Sequence, residues 1–496
     1  MNDIHFLSSL FVLVIGLFVL TVIVLYFIDI SQCKDAVRKN YPVIGRFRTI
    51  FTALGEFFRQ YFFAMDREEM PFNRAERDWV NRAADNKDNT VAFGSTKNLS
   101  SAGTAIFVNC PFPTLDEDAE TRIALEIGPY CQQPYKAPSI FNISGMSYGA
   151  LSTPAVRALS KGAKMAGCWM NTGEGGLSPY HLEGGCDIVF QIGTAKYGVR
   201  NIDGKLSDDK LKEVAARPEV KMFELKISQG AKPGKGGILP GIKVTDEIAK
   251  IRGIPQGVDS ISPNRHPEID NNNELLDMIN HVRKVSGKPV GFKSVIGSPG
   301  WIEQLCKAIH KRGIESAPDF ITVDSGDGGT GAAPMPLLDN VGMPVKESLP
   351  LVADTLYQYG LHERIRLIAS GKLVTPSEVA WAVATGADFV TSARGFMFSL
   401  GCIQALKCNK NTCPTGITTH NPRLQKGLNP ADKSVRVANY CTNISHELEV
   451  IAHSCGVRRP RLMKRKHVRI VQENGKSIPM STLYPTPEVI HSIAQT

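Results

Sequence analysis

The strongest constraint on the fold is an alternation of strand-like and helix-like segments that begins near Ile140. Short apolar runs each end in Gly, Ser or Asn, and a segment with helical periodicity follows, which is a βα alternation. The eight predicted strands are Ile140–Gly145, Trp169–Gly173, Met222–Ser228, Val258–Ser262, Val290–Val295, Phe320–Ser325, Arg366–Ser370 and Phe389–Ala393. Predicted helices between them are Glu274–Val285, Trp301–Arg312, Leu349–Tyr359 and Pro376–Thr385.

Eight such units over about 260 residues match a TIM (β/α)8 barrel in number and length. A doubly wound open sheet also uses alternating units, so the periodicity alone does not decide between the two. The glycines cluster after the strands, where barrel enzymes build their sites from the βα loops. We therefore predict an α/β fold with a TIM (β/α)8 barrel over residues 138–420.

An apolar run without a charge, Phe6–Ile28, precedes the barrel. A helix that rises about 1.5 Å per residue would cross a hydrocarbon layer of about 30 Å with this run. Because Asp3 precedes it and no small-residue cleavage site clearly follows, we favour a retained single-pass anchor over a cleaved signal peptide. Five basic residues follow the run: Lys34, Arg38, Lys39, Arg46 and Arg48. Basic flanks stay cytoplasmic, so the catalytic domain is predicted to face the cytoplasm.

The regions that flank the barrel are less informative. Residues 1–40 form the predicted transmembrane anchor with its basic flank. Residues 41–137 contain aromatic-rich helical stretches such as Phe57–Phe63, typical of a helical collar on the membrane-proximal side of the barrel or on the bilayer surface. Residues 421–496 are predicted as a C-terminal helical extension.

Charge and cysteine content limit the possible partners and compartment. The formal net charge is +9, but much of the basic excess lies beside the anchor and in Arg458–Arg469, where no aromatic residues interleave. We interpret that stretch as a solvated basic face rather than a nucleic-acid or anionic-lipid site, and expect no nucleic-acid partner. Eleven cysteines are too sparse for a disulfide scaffold, and their odd number favours a reducing compartment.

Three segments after predicted strands offer backbone N–H groups to a ligand. They are Asp324-Ser-Gly-Asp-Gly-Gly-Thr-Gly-Ala332, Ser370-Gly371 and Ser392-Ala-Arg394-Gly395. The last two follow the seventh and eighth strands, where barrels commonly bind a phosphate, and Arg394 would add a cation. Loops that only turn the chain are the alternative.

Lys293 lies inside the apolar strand Val290–Val295, where burial of an unpaired ammonium would be costly. It is therefore predicted to meet an anion or an electron-rich ring. The electron-rich edge of a reduced flavin is a suitable partner, and an internal salt bridge is the alternative.

Two long glycine-punctuated stretches are predicted to fold over the site: Asn171-Thr-Gly-Glu-Gly-Gly176 and Gln229-Gly-Ala-Lys-Pro-Gly-Lys-Gly-Gly237. They contribute Glu174, Gln229 and Lys232, and Arg252 follows. Cations and amides together would bind a small dicarboxylate through charge-assisted hydrogen bonds, whereas solvated loop charges are the alternative.

Three cysteines are closely grouped in Cys402-x5-Cys408-x4-Cys413-Pro414. Such spacing suits iron–sulfur ligation, and a trailing proline also occurs in cluster motifs. A zinc site that lacks its fourth ligand and three inert buried cysteines are the alternatives.

Taken together, these residues resemble the synthase domain of glutamate synthase. The similar region runs from about Ser144 to Thr419. Its motifs, in order, are Gly145-Met-Ser-Tyr-Gly149, Asn171-Thr-Gly-Glu-Gly-Gly176, Gln191-x4-Lys-Tyr-Gly-Val199, Gln229-Gly-Ala-Lys-Pro-Gly234, Leu239-Pro-Gly241, Ser325-Gly-Asp-Gly-Gly-Thr-Gly331 and Gly401-Cys-x5-Cys-x4-Cys-Pro414. So many motifs in one order make the resemblance very specific.

The resemblance implies FMN, a 3Fe-4S cluster held by Cys402, Cys408 and Cys413, and a 2-oxoglutarate site. Substrate binding and catalysis are assigned to Gln229, Lys232 and Glu174, with Arg252 as a further substrate-binding residue. The residues assigned to FMN are Met146, Ser147, Gln191, Lys196, Lys293, Ser325, Gly326, Gly328, Gly329, Thr330, Gly371, Arg394 and Gly395.

The implied reaction condenses ammonia with 2-oxoglutarate and reduces the resulting 2-iminoglutarate to L-glutamate with a hydride from reduced FMN, while the cluster relays electrons. No amidotransferase domain with a nucleophilic cysteine and no NAD(P) domain is evident. We therefore expect free or partner-supplied ammonia and an electron donor such as ferredoxin or a membrane reductant. Another amine, as in N-methylglutamate synthases, and a membrane-bound electron carrier without 2-oxoglutarate turnover remain alternatives.

Five positions depart from the family pattern. Lys235 stands where the family usually has an acid, and Lys196 replaces an arginine. Ser370 and Lys372 replace the Asp and second Gly of a usual Asp-Gly-Gly turn, so phosphate contacts are expected to differ. Pro267 breaks a usual His-His pair after His266.

Overall fold

The computed structural model describes residues 2–32, 34–120, 123–227 and 230–490. The chain divides into two compact units, Met1–Ala75 and Glu76–Thr496. Each is described separately.

The first unit is helical. Helix α1 (Asn2–Ser31) is followed by α2 (Ala36–Asn40), α3 (Gly45–Phe58) and a π-helical turn (Arg59–Phe63). Within α1, Ile4–Ser31 has a mean hydropathy of 3.1 and is long enough to cross a membrane. A signal sequence near an N-terminus meets the same criteria of length and composition, so the helix alone does not decide between the two.

Eight parallel strands of the described chain close into a barrel, which confirms the predicted TIM-type fold. The last strand pairs with the first through Val390 and Phe141, so the sheet has no free edge. The barrel strands are β4 (Phe141–Ile143), β5 (Met170–Asn171), β6 (Ile188–Ile192), β7 (Val220–Lys226), β10 (Val290–Val295), β11 (Phe320–Asp324), β12 (Arg366–Ser370) and β13 (Phe389–Ser392).

One of the eight predicted strands was wrong, and one barrel strand was missed. The segment Ser260–Ile261 (β9) pairs antiparallel with Ile238–Leu239 (β8) in the long loop after β7, outside the barrel. This segment lies within the predicted strand Val258–Ser262, whose apolar side chains Val258 and Ile261 are exposed. The barrel position belongs instead to β6, whose five residues are all buried. Burial on both faces requires a nearly continuous apolar run, which β6 has and the segment around β9 lacks.

Helices connect the barrel strands and cover the sheet. Helix α13 (Pro376–Thr385) is an example of how the sequence begins and ends these helices. At its start, Glu378 accepts a hydrogen bond from the backbone N–H of Thr375 at 3.0 Å, and Pro376 occupies the first turn. At its end, Gly386 is the C-cap residue. The other helices of the second unit are α4 (Arg74–Ala84), α5 (Thr153–Ala166), α6 (Pro179–Leu182), α7 (Asp208–Ala215), α8 (Asp246–Arg252), α9 (Asn272–Ser286), α10 (Gly300–Arg312), α11 (Met335–Asn340), α12 (Val345–Gln358), α14 (Arg394–Ser399), α15 (Pro422–Gln425), α16 (Pro430–Ser454) and α17 (Met480–Leu483).

A hairpin closes the amino-terminal end of the barrel. Strands β2 (Leu125–Ile127) and β3 (Tyr135–Ala137) pair antiparallel. Their buried side chains pack with inward-facing barrel residues that include Trp169 and Phe389. Because this end is filled with apolar side chains, a ligand site has room only at the opposite, carboxyl end of the strands.

The C-terminal region, predicted as helical, also contains strands. Helix α16 places Tyr440 against the barrel, where its hydroxyl donates to Val374 O at 2.8 Å. After it, β14 (Val468–Val471) and β15 (Ser477–Pro479) form a three-stranded antiparallel sheet with β1 (Ala105–Phe107). One segment that precedes the barrel in the sequence and two that follow it therefore form one small sheet.

The basic stretch Arg458–Arg469, interpreted from sequence as a solvated face, is partly structural. The guanidinium of Arg461 lies 4.7 Å from the centre of the Phe389 ring. Arg465 pairs with Asp354 at 2.6 Å. Both side chains thus tie the C-terminal region to the barrel.

Candidate active site

The described residues assigned to FMN and substrate lie on the barrel strands, in the loops after them, or on helices α8 (Arg252) and α14 (Arg394 and Gly395). The three cysteines follow α14. Gln229 lies outside the described residues. The loops after β4 and β5 stack closely, since a Cβ on Gly173 would lie 2.5 Å from Ser147 N and 2.8 Å from Met146 C. The motif residues Met146, Ser147 and Glu174 therefore belong to one wall of the barrel mouth.

A buried carboxylate that the sequence reasoning missed organises the barrel interior. Glu224 on β7 is 3% exposed, and its Oε1 accepts from Asn171 Nδ2 at 2.8 Å and Gln191 Nε2 at 2.6 Å. Its Oε2 accepts from Thr322 Oγ1 at 2.7 Å. The only signal in the sequence was an acid inside an otherwise apolar strand, Met222–Leu225. Its hydrogen bonds fix the orientation of Gln191, a predicted flavin contact.

Lys293 is buried, and an internal carboxylate balances its charge. Its Nζ lies 3.2 Å from Asp324 Oδ2 and 3.2 Å from Ser370 Oγ. Ser370 in turn donates to Asp324 Oδ1 at 3.0 Å. The neighbouring strand β11 thus supplies a carboxylate beside position 370, where the family has its own Asp. Lys293 also lines a cavity of about 10 Å³ together with Glu224 and Thr391.

The glycine-rich loops after β11, β12 and β13 form a second wall. Gly371 has a φ of +121°, and a Cβ there would lie 2.2 Å from Ser325 Cβ, so only glycine allows this approach. A Cβ on Gly329 would lie 3.1 Å from Arg394 Nε. Gly326, Gly328 and Thr330 belong to the same loop as Gly329. We call this close approach of Gly371 to Ser325, with the guanidinium of Arg394 beside Gly329, the cradle.

Charges in this cradle are paired. Lys372 Nζ lies 2.7 Å from Asp327 Oδ2, and Asp327 also accepts a hydrogen bond from Ser325. Burial lowers the pKa of Arg394 to about 10, while Asp327 and Asp324 oppose that shift. Gly395 has a different role. A Cβ at this position would lie 2.1 Å from Oη of Tyr440, which is on α16. The absence of a side chain at Gly395 therefore allows α16 to pack here.

Two buried cations approach Glu174 from different elements. Lys232, in the loop after β7, donates to Ala332 O at 2.5 Å, and burial lowers its pKa while Glu174 opposes the shift. Burial likewise lowers the pKa of Arg252, against the effect of Tyr197 and Glu174. Arg252 donates to Tyr148 O at 3.3 Å. Its Nε is buried without a hydrogen bond.

Lys196 is buried and forms an ion pair. Its Nζ pairs with Glu268 at 2.9 Å, and the lysine side chain is 3% exposed. His266, beside it, donates from Nε2 to Lys226 O at 3.0 Å, and its Nδ1 is buried without a partner. Lys226 lies 3.6 Å from Glu174 Oε1, which links this group to the substrate-side cations.

The three cysteines lie in one loop after α14 and influence each other. Burial, and then the neighbouring thiols, raise the pKa of Cys402 to about 11. The pKa of Cys408 is also raised, by burial and then by Cys413. Burial would raise the pKa of Cys413 as well, but the Thr415 hydroxyl at 3.4 Å and nearby backbone N–H groups hold it below its usual value. Among the described residues, no three His, Cys, Asp or Glu side chains are arranged to hold a single metal ion.

This cysteine loop docks on the barrel mouth. Ser152 N donates to Ile417 O at 2.8 Å, and His420 Nε2 donates to Gly149 O at 2.8 Å. Lys243, 2% exposed, bridges the two loops by donating to Ala150 O at 2.8 Å and Cys408 O at 3.3 Å. The thiols therefore lie next to the loop that carries Met146 and Ser147.

Buried histidines give the protein a pH dependence near neutrality. Burial lowers the pKa of His266 and His420 to about 4 and of His181 to about 3. Each folded pKa lies below the unfolded value of about 6.5, so the unfolded chain binds more protons in this window. The stability that neutral histidines provide is therefore complete above pH 6.5 and is lost as the pH falls towards 4.

We expect the free energy of unfolding to fall by about 4 kcal/mol between pH 7.5 and 5.5, at about 1.4 kcal/mol for each of three histidines. Urea unfolding at the two pH values measures this difference. Substitution of His420 by Gln should remove about a third of it, and an unchanged pH dependence would contradict the assignment. His281→Gln, at an exposed position, is the matched control.

Comparison with known proteins agrees with this architecture. The family model described as "Conserved region in glutamate synthase" matches residues 102–458. The chain is 40% identical to the glutamate synthase large subunit-like protein YerD of Bacillus subtilis (strain 168), over 96% of this chain and 98% of that protein. It is 35% identical to the archaeal glutamate synthase [NADPH] of Methanocaldococcus jannaschii, over 68% of this chain and 63% of that protein.

Solved structures with a similar course of the chain include a lactate oxidase of Pediococcus acidilactici, at 15% identity and a TM-score of 0.45 over 72% of this chain and 81% of that one. The recombinant flavin-binding domain of baker's yeast flavocytochrome b2 has 13% identity and a TM-score of 0.44, over 85% of this chain and 86% of that one.

The family match covers most of the barrel unit, and the likeness to YerD extends along nearly the whole chain. The chain therefore belongs to the glutamate synthase family.

Proposed function

We propose that this chain is an FMN-dependent oxidoreductase that aminates 2-oxoglutarate reductively to L-glutamate. The observation that carries the proposal is the pair of buried cations, Lys232 and Arg252, whose charges both interact with that of Glu174. A substrate with two carboxylates needs two such cations, because each charge-assisted hydrogen bond favours a carboxylate over a neutral group.

The residues present fit FMN in three respects. Gly371 packs directly against Ser325, so no side chain at position 371 separates the loops after β11 and β12, where a phosphate would bind. Arg394 and Lys372 are the cations beside it. Thr391 Oγ1 is buried without a hydrogen bond at the cavity beneath the mouth. That cavity has the size of about one water molecule, so a flavin ring would lie above it against the loops.

The cysteine loop supports a 3Fe-4S cluster. In a three-iron cluster each thiolate binds a different iron, so the three thiols do not have to converge on one metal ion. Cys402, Cys408 and Cys413 share one loop, in which Cys413 is buried and the other two are partly buried. Thr418 Oγ1, in the same loop, is buried without a hydrogen bond. When bound, the cluster would pass electrons towards the flavin from a partner such as ferredoxin or a membrane reductant.

Each described side chain has a defined task in the proposed reaction. Ammonia attacks the 2-oxo carbon and water leaves, which gives 2-iminoglutarate, and a hydride and a proton then complete L-glutamate. FMN, when bound, supplies the hydride. Lys232 and Arg252 hold the two carboxylates and so orient the imine carbon. Glu174, within reach of both cations, keeps them ionised in a buried setting.

The first helix supports a membrane location with the catalytic unit on the cytoplasmic side. Ile4–Ser31 meets the length and hydropathy of a span. The positive charges of Lys34, Arg38 and Lys39 follow it directly.

The experiment that tests the proposal supplies the purified, flavin-loaded full chain with 2-oxoglutarate, ammonia and an artificial reductant. We expect L-glutamate, measured by chromatography. Methylamine in place of ammonia distinguishes the N-methylglutamate reaction. If no amino acid formed from any 2-oxo acid or amine tested, the proposed reaction would be rejected.

A further inference from the structure

Helix α3 has an apolar stripe that is exposed along its length. Phe47, Ile50, Phe51, Leu54 and Phe58 recur at three- and four-residue intervals, which places them on one face of the helix. All five are exposed, and Phe51 reaches 65%. The π-helical turn that follows adds exposed Tyr61, Phe62 and Phe63.

The opposite face of α3 is polar. Arg48, Thr49 and Thr52 are exposed there, and Thr52 Oγ1 donates to Arg48 O at 2.8 Å. A 14-residue helix is marginal in water unless its apolar face is covered. At about 1.5 Å per residue it is also too short to cross a bilayer.

A buried carboxylate fixes how the chain leaves α1. Asp29 is fully buried, and its Oδ1 pairs with Arg38 at 2.9 Å and Arg46 at 2.7 Å. Its Oδ2 accepts from Val43 N at 3.0 Å. Val43 has a φ of +65°, which is strained for a β-branched residue and needs such support.

Close packing completes this turn. A Cβ on Gly45 would lie 2.9 Å from Val37 O, so the start of α3 rests directly on α2. The Asp29 ion pairs and the Gly45 contact together tie α2 and α3 to the end of α1. The amphipathic helix α3 therefore begins beside the end of α1.

The charges around α3 match a lipid surface. From Asp29 to Arg48 the chain carries five cations and two acids, a net charge of +3. The cations are Lys34, Arg38, Lys39, Arg46 and Arg48, and the acids are Asp29 and Asp35. A basic, amphipathic helix with an aromatic apolar face is the composition of helices that lie in the membrane interface.

We propose that α3 and the Arg59–Phe63 turn lie in the interface of an anionic bilayer leaflet, with the Phe47–Phe58 stripe towards the acyl chains. This inference rests on the proposed membrane anchor. We infer that a bilayer, rather than a protein, covers this stripe, because the stripe follows the end of the apolar helix α1 and has cations around it. The helix would hold the chain flat on the leaflet before the second unit begins.

Single tryptophans placed in the full chain, reconstituted in bilayer discs with anionic lipid, test the inference. Phe51→Trp reports on the stripe and Thr52→Trp on the opposite face, with the unsubstituted chain subtracted. We expect brominated lipid to quench the F51W emission at least about twofold more than the T52W emission, and iodide to quench it less. Both positions are exposed, so neither change should disturb folding.

Phe18→Trp, within α1, separates this inference from the anchor on which it rests. Quenching of F18W but not F51W by brominated lipid would overturn the interfacial placement and leave the anchor intact. F51W that is shielded from iodide but unaffected by brominated lipid would show that protein covers the stripe, and would also overturn it. Loss of F18W quenching would remove the anchor and the inference together.

Discussion

Replacement of Cys408 by serine is expected to abolish the iron–sulfur absorbance and EPR signal while FMN remains bound. A serine hydroxyl is a poor ligand for this cluster, because thiolates hold its irons. Ser325, Gly371 and Arg394, which are proposed to hold FMN, lie outside the cysteine loop. We expect glutamate formation with a reduced protein donor to fall by at least roughly 100-fold, whereas direct reduction of the flavin by dithionite should persist.

The control for this prediction is Cys110→Ser. Cys110 is partly exposed, and its sulfur donates to Phe112 O, a hydrogen bond that serine can retain. Iron content should then match that of the unsubstituted chain. If C408S kept its full iron content, the assignment of the cluster to these three cysteines would be wrong.

Replacement of Lys232 by alanine should lower kcat/KM for 2-oxoglutarate by roughly 10- to 150-fold, as loss of a charge-assisted hydrogen bond costs about 1.5–3 kcal/mol. Lys232 is 3% exposed, so few waters can replace the missing ammonium. The loss should appear in the titration of the flavin spectrum by 2-oxoglutarate as well as in turnover. Flavin content should not change.

Lys235 provides a matched control within the same loop. It is exposed and makes no predicted contact with substrate, so Lys235→Ala should change kcat/KM less than about twofold. Equal losses in the two variants would indicate a disturbed loop rather than a lost substrate contact. An unchanged kcat/KM in K232A would remove Lys232 from the site.

The barrel was predictable from sequence because βα periodicity is local. Each strand and its following helix can be recognised within about 30 residues. The error at Val258–Ser262 arose where a strand-like pattern sits in a long loop, and β6 was missed although Gln191 within it was already a motif residue. Periodicity does not tell which strand enters the barrel, since that depends on burial by distant segments.

The roles of the candidate site residues remain predictions, and the contacts that these residues make could not be read from the sequence. Lys293 was predicted to meet an anion or an electron-rich ring, with an internal salt bridge as the alternative. The structure shows the salt bridge, to Asp324 on the next strand of the barrel. Glu224 escaped notice because Asn171, Gln191 and Thr322 reach it from three other strands. Such contacts follow from the closure of the barrel rather than from spacing in the sequence.

The central claim is that a flavin and a three-iron cluster lie side by side at the barrel mouth, next to the 2-oxoglutarate site. Combined absorption and EPR spectroscopy of the anaerobically purified full chain, with 2-oxoglutarate titrated in, tests it most directly. We predict equimolar FMN, the signal of an oxidised 3Fe-4S cluster, and a saturable shift of the flavin spectrum with 2-oxoglutarate. Protein without iron, or a flavin spectrum that 2-oxoglutarate leaves unchanged, would contradict the account.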